Sequence, residues 1–155
     1  MEWISSLRGK TVGVDTAPII YFIERHPLYV HMMHSFFQEV QKGEIAVVTS
    51  TMALLETLVM PLRHRNVDLA DQYRRILLKT KGHRTFRLSP IIAEEAARLR
   101  AFYNIRTPVS IQMATAIYAG ASFFLTNDTS LPSLPDLKII VLEDLREEEQ
   151  PSQEP

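Results

Sequence analysis

Short runs of β-branched and other apolar residues alternate along this chain with longer segments in which apolar residues recur at the spacing of a helix. The predicted strands lie at residues 11–14, 45–48, 85–88, 122–125 and 137–142. The predicted helices lie at residues 18–24, 27–42, 52–60, 66–79, 91–103 and 107–120. Strands that alternate with helices favour a parallel sheet covered by helices. We therefore predict a three-layer α/β/α fold with a central parallel sheet.

Capping residues and prolines mark several of the predicted helix boundaries. Ser89-Pro90 and Thr107-Pro108 each place a hydroxyl before a proline in the first helical turn, where its missing N–H is not needed. Pro61 has no N–H to donate inside a helix. We therefore predict that Pro61 terminates the helix over residues 52–60.

Three carboxylates follow predicted strands. Asp15 comes directly after the first strand, Glu56 lies about one helical turn past the second, and Asp128 closes the turn after residues 122–125. Ligands of open parallel sheets gather beyond the carboxyl ends of the strands. We therefore expect the three side chains to converge at one edge of the sheet, although they are far apart in sequence.

Each acid also has an ordinary structural interpretation. Asp15 is suited to capping the next helix, and Asp128 after Asn127 is suited to shaping a turn. Glu56 is harder to explain in this way, because residues 52–60 are apolar nearly all round. An ionised carboxylate in such surroundings is costly unless it is paired or bound to a cation.

A cluster of carboxylates at a sheet edge suits Mg²⁺ or Mn²⁺, which prefer oxygen ligands and retain several waters. Such an ion offsets the repulsion between the acids, activates water and neutralises charge that develops on a phosphodiester. Thr16, Thr126 and Asn127 are candidates to supply neutral oxygens or to orient the carboxylates. The pattern is therefore typical of a site for phosphodiester hydrolysis.

The net charge of −1 conceals a segregated distribution. Residues 61–87 hold eight of the 17 Lys and Arg residues but only two of the 18 acids. The candidates there for binding an RNA backbone are Arg63, Arg65, Arg74 and Arg75. A solvated helix face is the ordinary alternative. The stretch from Glu143 is acidic instead, and we predict a domain over residues 1–145 followed by a disordered tail over 146–155.

Composition excludes several other classes of protein. With no cysteine among the 155 residues, disulfides, thiolate zinc sites and a cysteine nucleophile are excluded. No apolar run approaches the roughly 18 residues of a membrane span, and residues 1–10 lack a secretory signal, so we expect a cytoplasmic protein. His31 and His34 could share a zinc ion, but no third ligand is evident. Phosphate-binding glycine loops and nucleophile elbows are absent.

Four segments in order resemble the signature segments of PIN domains, especially those of VapC-type toxins. They are residues 14–21 (VDTAPIIY), 50–56 (STMALLE), 106–116 (RTPVSIQMATA) and 124–128 (FLTND). The resemblance runs from about Gly13 to Leu142. It implies a metal-dependent endoribonuclease with four acids around the metal, commonly a homodimer and commonly held inactive by a small antitoxin protein.

Val109 departs from this family pattern, which has aspartate after Thr-Pro. Valine ligates nothing, so the resemblance implies weaker metal binding and slower turnover. Ser110 is a poor substitute, because one step along a helix turns the side chain by about 100°, and Glu94 and Glu95 are better explained as acids in a helix first turn. Two hypotheses stay open: an endoribonuclease, or a catalytically degenerate PIN domain that binds RNA or protein. A phosphoacceptor domain using Asp15 is a weaker third.

Overall fold

The computed structural model describes residues 1–149. Five parallel strands form one sheet in the order β3-β2-β1-β4-β5. The strands are β1 Thr11–Val14, β2 Ala46–Ser50, β3 His83–Phe86, β4 Phe123–Thr126 and β5 Lys138–Val141. The helices are α1 Glu2–Ser5, α2 Thr16–Ile23, α3 Val30–Gln41, α4 Thr51–Arg63, α5 Val67–Lys79, α6 Pro90–Tyr103, α7 Thr107–Tyr118 and α8 Leu142–Glu149.

Alternate side chains of the strands enter two separate apolar clusters, one on each face of the sheet. Val12, Val14 and Leu125 pack with helices α2, α3 and α5. Val48 and Phe124 pack on the other face with helices α6 and α7. This alternation follows from the two-residue period of a strand. The predicted three-layer α/β/α architecture is confirmed.

Gly13 lets helix α7 lie unusually close to the central strand. A Cβ atom at this position would stand 2.4 Å from the Cβ of Ala116 and 3.2 Å from Phe124. Only a residue without a side chain leaves room for α7 at this depth. In the same helix, Gln112 accepts a hydrogen bond from the N–H of Ser50 at the carboxyl end of β2.

Pro61 does not terminate α4, so this prediction was wrong. The helix continues through Pro61 to Arg63, and the N–H of His64 still bonds the carbonyl of Met60 at 3.0 Å. A proline removes one backbone bond, but Pro61 lies near the end of the helix and its ring is buried. The loss of this one backbone hydrogen bond therefore does not end the helix at Pro61.

Strand β3 begins and ends two residues earlier than predicted for this part of the chain. It covers His83–Phe86, and His83 pairs with Val47 of β2. The polar residues His83 and Arg84 concealed the start of the strand, because the prediction relied on apolar runs. Residues 87 and 88 are exposed and lead to the cap of α6 at Ser89.

The prediction of a disordered tail from residue 146 was wrong for residues 146–149, which form the end of α8. Leu142 anchors this helix in the core, and Arg146 forms an ion pair with Glu143 at 2.5 Å. Acidic residues in the first turn also favour the helix dipole. The remaining residues of the predicted tail, 150–155, lie outside the described residues. Within residues 1–149, no helix has the length and apolar character required to span a bilayer.

Candidate active site

Asp15 and Asp128 follow neighbouring strands at the point where the order of the sheet reverses. The chain adds β2 on one side of β1 and later returns to add β4 on the other. The N–H of Asp15 bonds the carbonyl of Leu125 in β4 at 2.9 Å. Ligands of open α/β sheets bind in the crevice at such a switch point. The fold therefore places these two acids where a ligand site is expected.

Both carboxylate oxygens of Asp15 accept hydrogen bonds. Oδ1 accepts from the N–H of Thr16 at 2.8 Å, so Asp15 is also the N-cap of α2. Oδ2 accepts from the hydroxyl of Thr126 at 2.8 Å. Burial raises the pKa of Asp15 above its usual range, and the negative charge of Asp128 raises it further. A cation beside Asp15 would relieve both effects.

Asp128 shares the hydroxyl of Thr126 with Asp15. The Thr126 oxygen accepts a hydrogen bond from the N–H of Asp128 at 3.0 Å while its proton is donated to Asp15. Ser130 donates to Asp128 Oδ1 from its N–H and its hydroxyl at 2.9 and 2.6 Å. These bonds, with the guanidinium of Arg106, hold the pKa of Asp128 below its usual range. Asp128 therefore shapes its turn and also faces the site as an anion.

Glu56 joins the cluster through Thr16. The Thr16 hydroxyl donates to Glu56 Oε1 at 2.9 Å, and the N–H of the same residue donates to Asp15. Glu56 is partly buried on α4. Two threonines therefore connect the three acids: Thr126 links Asp15 to Asp128, and Thr16 links Asp15 to Glu56.

Asn127 serves the surrounding structure and makes no bond to a carboxylate of the cluster. Its amide donates to the Tyr21 hydroxyl at 3.1 Å, and its oxygen accepts from the N–H of Glu143 at 2.9 Å. The Tyr29 hydroxyl donates to the Glu143 carboxylate, and Tyr29 stacks on Tyr21 at 4.7 Å. This ring of contacts fixes the turn between β4 and Asp128 against α8.

Val109 lies in the apolar cluster beneath α7 and is 4% exposed. Ser110 turns away from the acids, as predicted from the helical step. Its hydroxyl donates to the Thr107 carbonyl at 2.7 Å, and it lines a groove between α6 and α7. Glu95 pairs with Arg98 on the exposed side of α6. None of these side chains replaces the carboxylate that Val109 lacks.

The donor chemistry of the cluster fits a hydrated divalent ion. Within residues 1–149, no three Asp, Glu or His side chains are close enough together to enclose a metal. Mg²⁺ does not require such a cage, because it retains several waters and commonly uses one or two carboxylates directly. Asp15 and Asp128 are the candidates for that pair, and Glu56 is linked to Asp15 through Thr16. His31 and His34 do not form a metal site with any third ligand in the same part of the chain.

A groove of about 530 Å³ runs from Glu56 toward the turn between α4 and α5. Its lining includes Glu24, Glu56, Met60, His64, Asn66 and Tyr73. Arg63 and Arg65 are exposed at that turn, and Arg75 is exposed on α5. Arg74 differs from them, because it forms an ion pair with Asp71 at 2.9 Å. Three of the four predicted RNA-binding arginines therefore carry charge that no described ion pair neutralises.

Two residues of the site were missed from the sequence. Arg106 caps α7 and points its Nη2 atom at Asp128 Oδ2, 3.4 Å away. Gln112 is 1% exposed and donates to the Thr16 hydroxyl at 3.2 Å. An amide in an otherwise small and apolar helix was the available signal for Gln112. Nothing in the sequence indicates that Arg106 turns toward Asp128.

The fold of this α/β protein is similar to that of solved structures of toxin–antitoxin proteins. One similar structure is VapBC2 from Rickettsia felis bound to a promoter DNA fragment, with a TM-score of 0.67, 16% identity, and coverage of 84% of this chain and 98% of that one. A toxin–antitoxin complex from Klebsiella pneumoniae has a TM-score of 0.60 and 20% identity, with coverage of 82% of this chain and 94% of that one. DNA-bound VapBC from Salmonella typhimurium has a TM-score of 0.58 and 14% identity, with coverage of 86% of this chain and 98% of that one.

The family itself is shown by sequence. The family model for the PIN domain matches residues 12–137. This chain therefore belongs to the PIN domain family, as its four signature segments predicted. A search of curated proteins finds no match.

Proposed function

We propose that this protein is an endoribonuclease that uses Mg²⁺ or Mn²⁺ and is the toxin of a toxin–antitoxin pair. The observation that carries the proposal is the linkage of Asp15, Glu56 and Asp128 by Thr16 and Thr126 at the edge of the sheet. PIN domains of the VapC type are typically nucleases, which supports the same class of reaction.

Each residue of the cluster has a defined task under this proposal. Asp15 and Asp128 would hold the divalent ion. Thr16 and Thr126 fix the carboxylate oxygens of Asp15, and Ser130 fixes Oδ1 of Asp128. The bound ion supplies Lewis-acid activation of water and neutralises charge on the phosphodiester. Glu56, which accepts a hydrogen bond from Thr16, would orient the attacking water by a hydrogen bond. Arg106 contributes a positive charge beside Asp128 that attracts a phosphate.

RNA is the proposed substrate because the groove beside Glu56 leads toward exposed arginines. Arg63 lies seven residues beyond Glu56 on α4, about 10 Å along the helix axis. A strand of RNA that follows the groove would pass His64, which lies between the exposed Arg63 and Arg65 in the sequence, while one linkage reaches Glu56. The distance of about 10 Å between Glu56 and Arg63 corresponds to a few nucleotides of one strand.

An antitoxin partner is proposed from the neighbouring complexes, whose descriptions name toxin–antitoxin assemblies. A homodimer is proposed from an exposed apolar stripe on α4, where Leu55 is 61% and Leu62 is 58% exposed. Val59 lies between them on the same face. Light scattering of the purified chain tests the dimer, and co-purification with the product of a neighbouring small open reading frame tests the antitoxin.

The decisive experiment compares cleavage of single-stranded RNA, structured RNA and single-stranded DNA with Mg²⁺, Mn²⁺ or EDTA. The parent is expected to cleave RNA with a divalent ion, and Asp15→Asn is expected to be inactive. Asp68→Asn is the matched control, because Asp68 is an exposed acid at the start of α5. Cleavage of DNA but not of RNA would contradict RNA as the substrate. Cleavage in the presence of EDTA would contradict a requirement for a divalent ion.

The second candidate function is that of a catalytically degenerate PIN domain. Two residues, Val109 and Arg106, favour it. Val109 provides no ligand, and the guanidinium of Arg106 already balances part of the charge on Asp128. Under this candidate the protein binds RNA or protein without cutting. Val109→Asp distinguishes the two: activity in that variant but not in the parent identifies a site silenced at this residue.

A further inference from the structure

We infer that Gln112 is a positioning residue of the acidic site, which acts by fixing the direction of the Thr16 hydroxyl toward Glu56. This inference rests on the proposed function for its consequence in catalysis. Its structural part stands without it, because the hydrogen bonds concerned involve only residues of this chain.

The orientation of the Gln112 amide is set by a donor that cannot reverse. The backbone N–H of Ser50 can only donate, and it lies 2.9 Å from Gln112 Oε1. The hydroxyl of Thr49 lies 3.0 Å from the same oxygen. With the oxygen turned toward β2, the Nε2 atom faces Thr16 Oγ1 at 3.2 Å. Gln112 therefore donates to Thr16.

The direction of this bond determines the next one. Once Thr16 Oγ1 accepts from Gln112, its own proton is free for Glu56 Oε1, which can only accept when ionised and lies 2.9 Å away. The same threonine donates its N–H to Asp15. Gln112 thus controls a residue that contacts two of the three acids.

Burial makes this arrangement rigid. Gln112 is 1%, Thr49 1%, Ser50 0% and Thr16 8% exposed, so water does not compete for these groups. Ser50 is also the N-cap of α4, the helix that carries Glu56. The amide therefore ties together β2, the start of α4 and the start of α2.

The position of Gln112 on α7 is related to that of Val109. Gln112 follows Val109 by three residues, which places both on neighbouring parts of one helix face. Helix α7 gives the site no carboxylate at Val109, yet through Gln112 it orients the Thr16 hydroxyl that bonds Glu56. Groups that orient metal ligands commonly change metal affinity or activity 10- to 100-fold when they are replaced.

The test uses Gln112→Met, which keeps the length of the side chain and removes its hydrogen bonds, with Thr16→Val and the double variant. Mn²⁺ affinity is measured by calorimetry on the protein alone, and kcat and KM are measured with RNA. Gln112→Met is expected to lower Mn²⁺ affinity and kcat about 10-fold, with KM changed less than about 2-fold. Gln38→Met, at an exposed position on α3, is the control for the substitution itself.

Non-additivity separates positioning from a loss of packing. If Gln112 acts through Thr16, the double variant is no worse than the poorer single variant. Effects that multiply would overturn the inference, as would a Gln112→Met protein that is less stable but has normal Mn²⁺ affinity and kcat.

A readout without metal or RNA keeps this inference distinct from the proposed function. Side-chain couplings of Thr16 in the metal-free protein are expected to report one rotamer in the parent and an average over rotamers in Gln112→Met. If the parent cleaves no RNA, the proposed function fails while the couplings and the Mn²⁺ titration still decide the role of Gln112. Unchanged couplings would overturn it.

Discussion

The guanidinium of Arg106 lies 3.4 Å from a carboxylate oxygen of Asp128, on the side of the site where α7 begins. This pair places a fixed positive charge beside an acid that is a candidate metal ligand. The Arg106 side chain is 77% exposed, so solvent weakens its effect without removing it. A divalent ion bound to Asp128 would therefore compete with Arg106 for the same negative charge.

Arg106→Gln is expected to tighten Mn²⁺ binding about 2- to 5-fold, which corresponds to the strength of an exposed ion pair. Calorimetry at low and high salt measures the change, and screening reduces it at high salt. Arg98→Gln is the matched control, because Arg98 forms an ion pair with Glu95 on α6 and neither residue belongs to the acidic cluster. Equal affinities for Arg106→Gln and the parent would remove Arg106 from the electrostatics of the site.

Val109→Asp is expected to lower the free energy of unfolding by about 2–4 kcal/mol in EDTA, because a carboxylate replaces a buried apolar side chain. Added Mn²⁺ is expected to recover part of this loss, since binding to the folded state stabilises it. Urea unfolding with and without Mn²⁺ measures both effects. Val109→Asn has nearly the same shape but no charge, and recovery of stability in Val109→Asn as well would show that the carboxylate is not responsible.

Arg75→Ala is expected to weaken RNA binding and to lower the slope of log affinity against log salt by about one unit for each lost phosphate contact. Arg74→Ala is expected to have a smaller effect, because Asp71 already neutralises part of its charge. Fluorescence anisotropy over a range of salt concentrations compares the two. Identical slopes for both variants and the parent would exclude α5 from the RNA-binding surface.

His83 is expected to make the fold sensitive to acid. It is 6% exposed, its ring nitrogens have no hydrogen-bond partner among residues 1–149, and burial lowers its pKa to about 4. The unfolded chain takes up this proton at a pH near 6.5, so stability falls as the pH drops from about 6.5 toward 4. The full difference corresponds to about 3 kcal/mol.

Urea unfolding of His83→Leu and the parent at several pH values tests this expectation. The parent is expected to lose more stability than His83→Leu between pH 7 and about 4. His31→Leu, which changes an exposed histidine on α3, is expected to follow the parent. A parent and a His83→Leu variant with parallel pH profiles would show that His83 is not the group responsible.

Gly13→Ala is expected to lower the free energy of unfolding by about 1–3 kcal/mol, because the new methyl group collides with Ala116. The double variant Gly13→Ala, Ala116→Gly removes that collision but keeps the 3.2 Å approach to Phe124. We therefore expect partial recovery, measured by urea unfolding. A double variant that is less stable than both single variants would contradict the proposed contact.

The sequence predicted the layers of this fold well because they depend on local chemistry. Apolar runs marked the central strands, and Ser89 before Pro90 marked the start of α6. Pro61 was misinterpreted, since its effect depends on how near it stands to a helix end. The end of α8 was missed, because composition alone does not reveal that Leu142 is anchored in the core.

The candidate site was predictable only in part for a related reason. Acids that follow parallel strands can be found from strand positions alone, and Thr16 and Thr126 are sequence neighbours of such acids or of their turns. The bond between Gln112 and Thr16 joins α7 to α2, and the bond between Arg106 and Asp128 crosses from α7 to the turn after β4. Such contacts depend on the depth and rotation of α7, which the close approach at Gly13 determines.

The pairing of β1 with β4 brings Val14 opposite Leu125 and so joins an early part of the chain to a late one. During synthesis, Asp15 and Glu56 leave the ribosome long before Asp128, and nothing holds Asp128 near them until β4 has docked. A chain interrupted before Phe123 has Asp15 and Glu56 but lacks Asp128 and the Thr126 hydroxyl that links it to Asp15. The complete cluster therefore forms only once synthesis has passed β4 and Asp128, which limits any cleavage activity to chains extended at least that far.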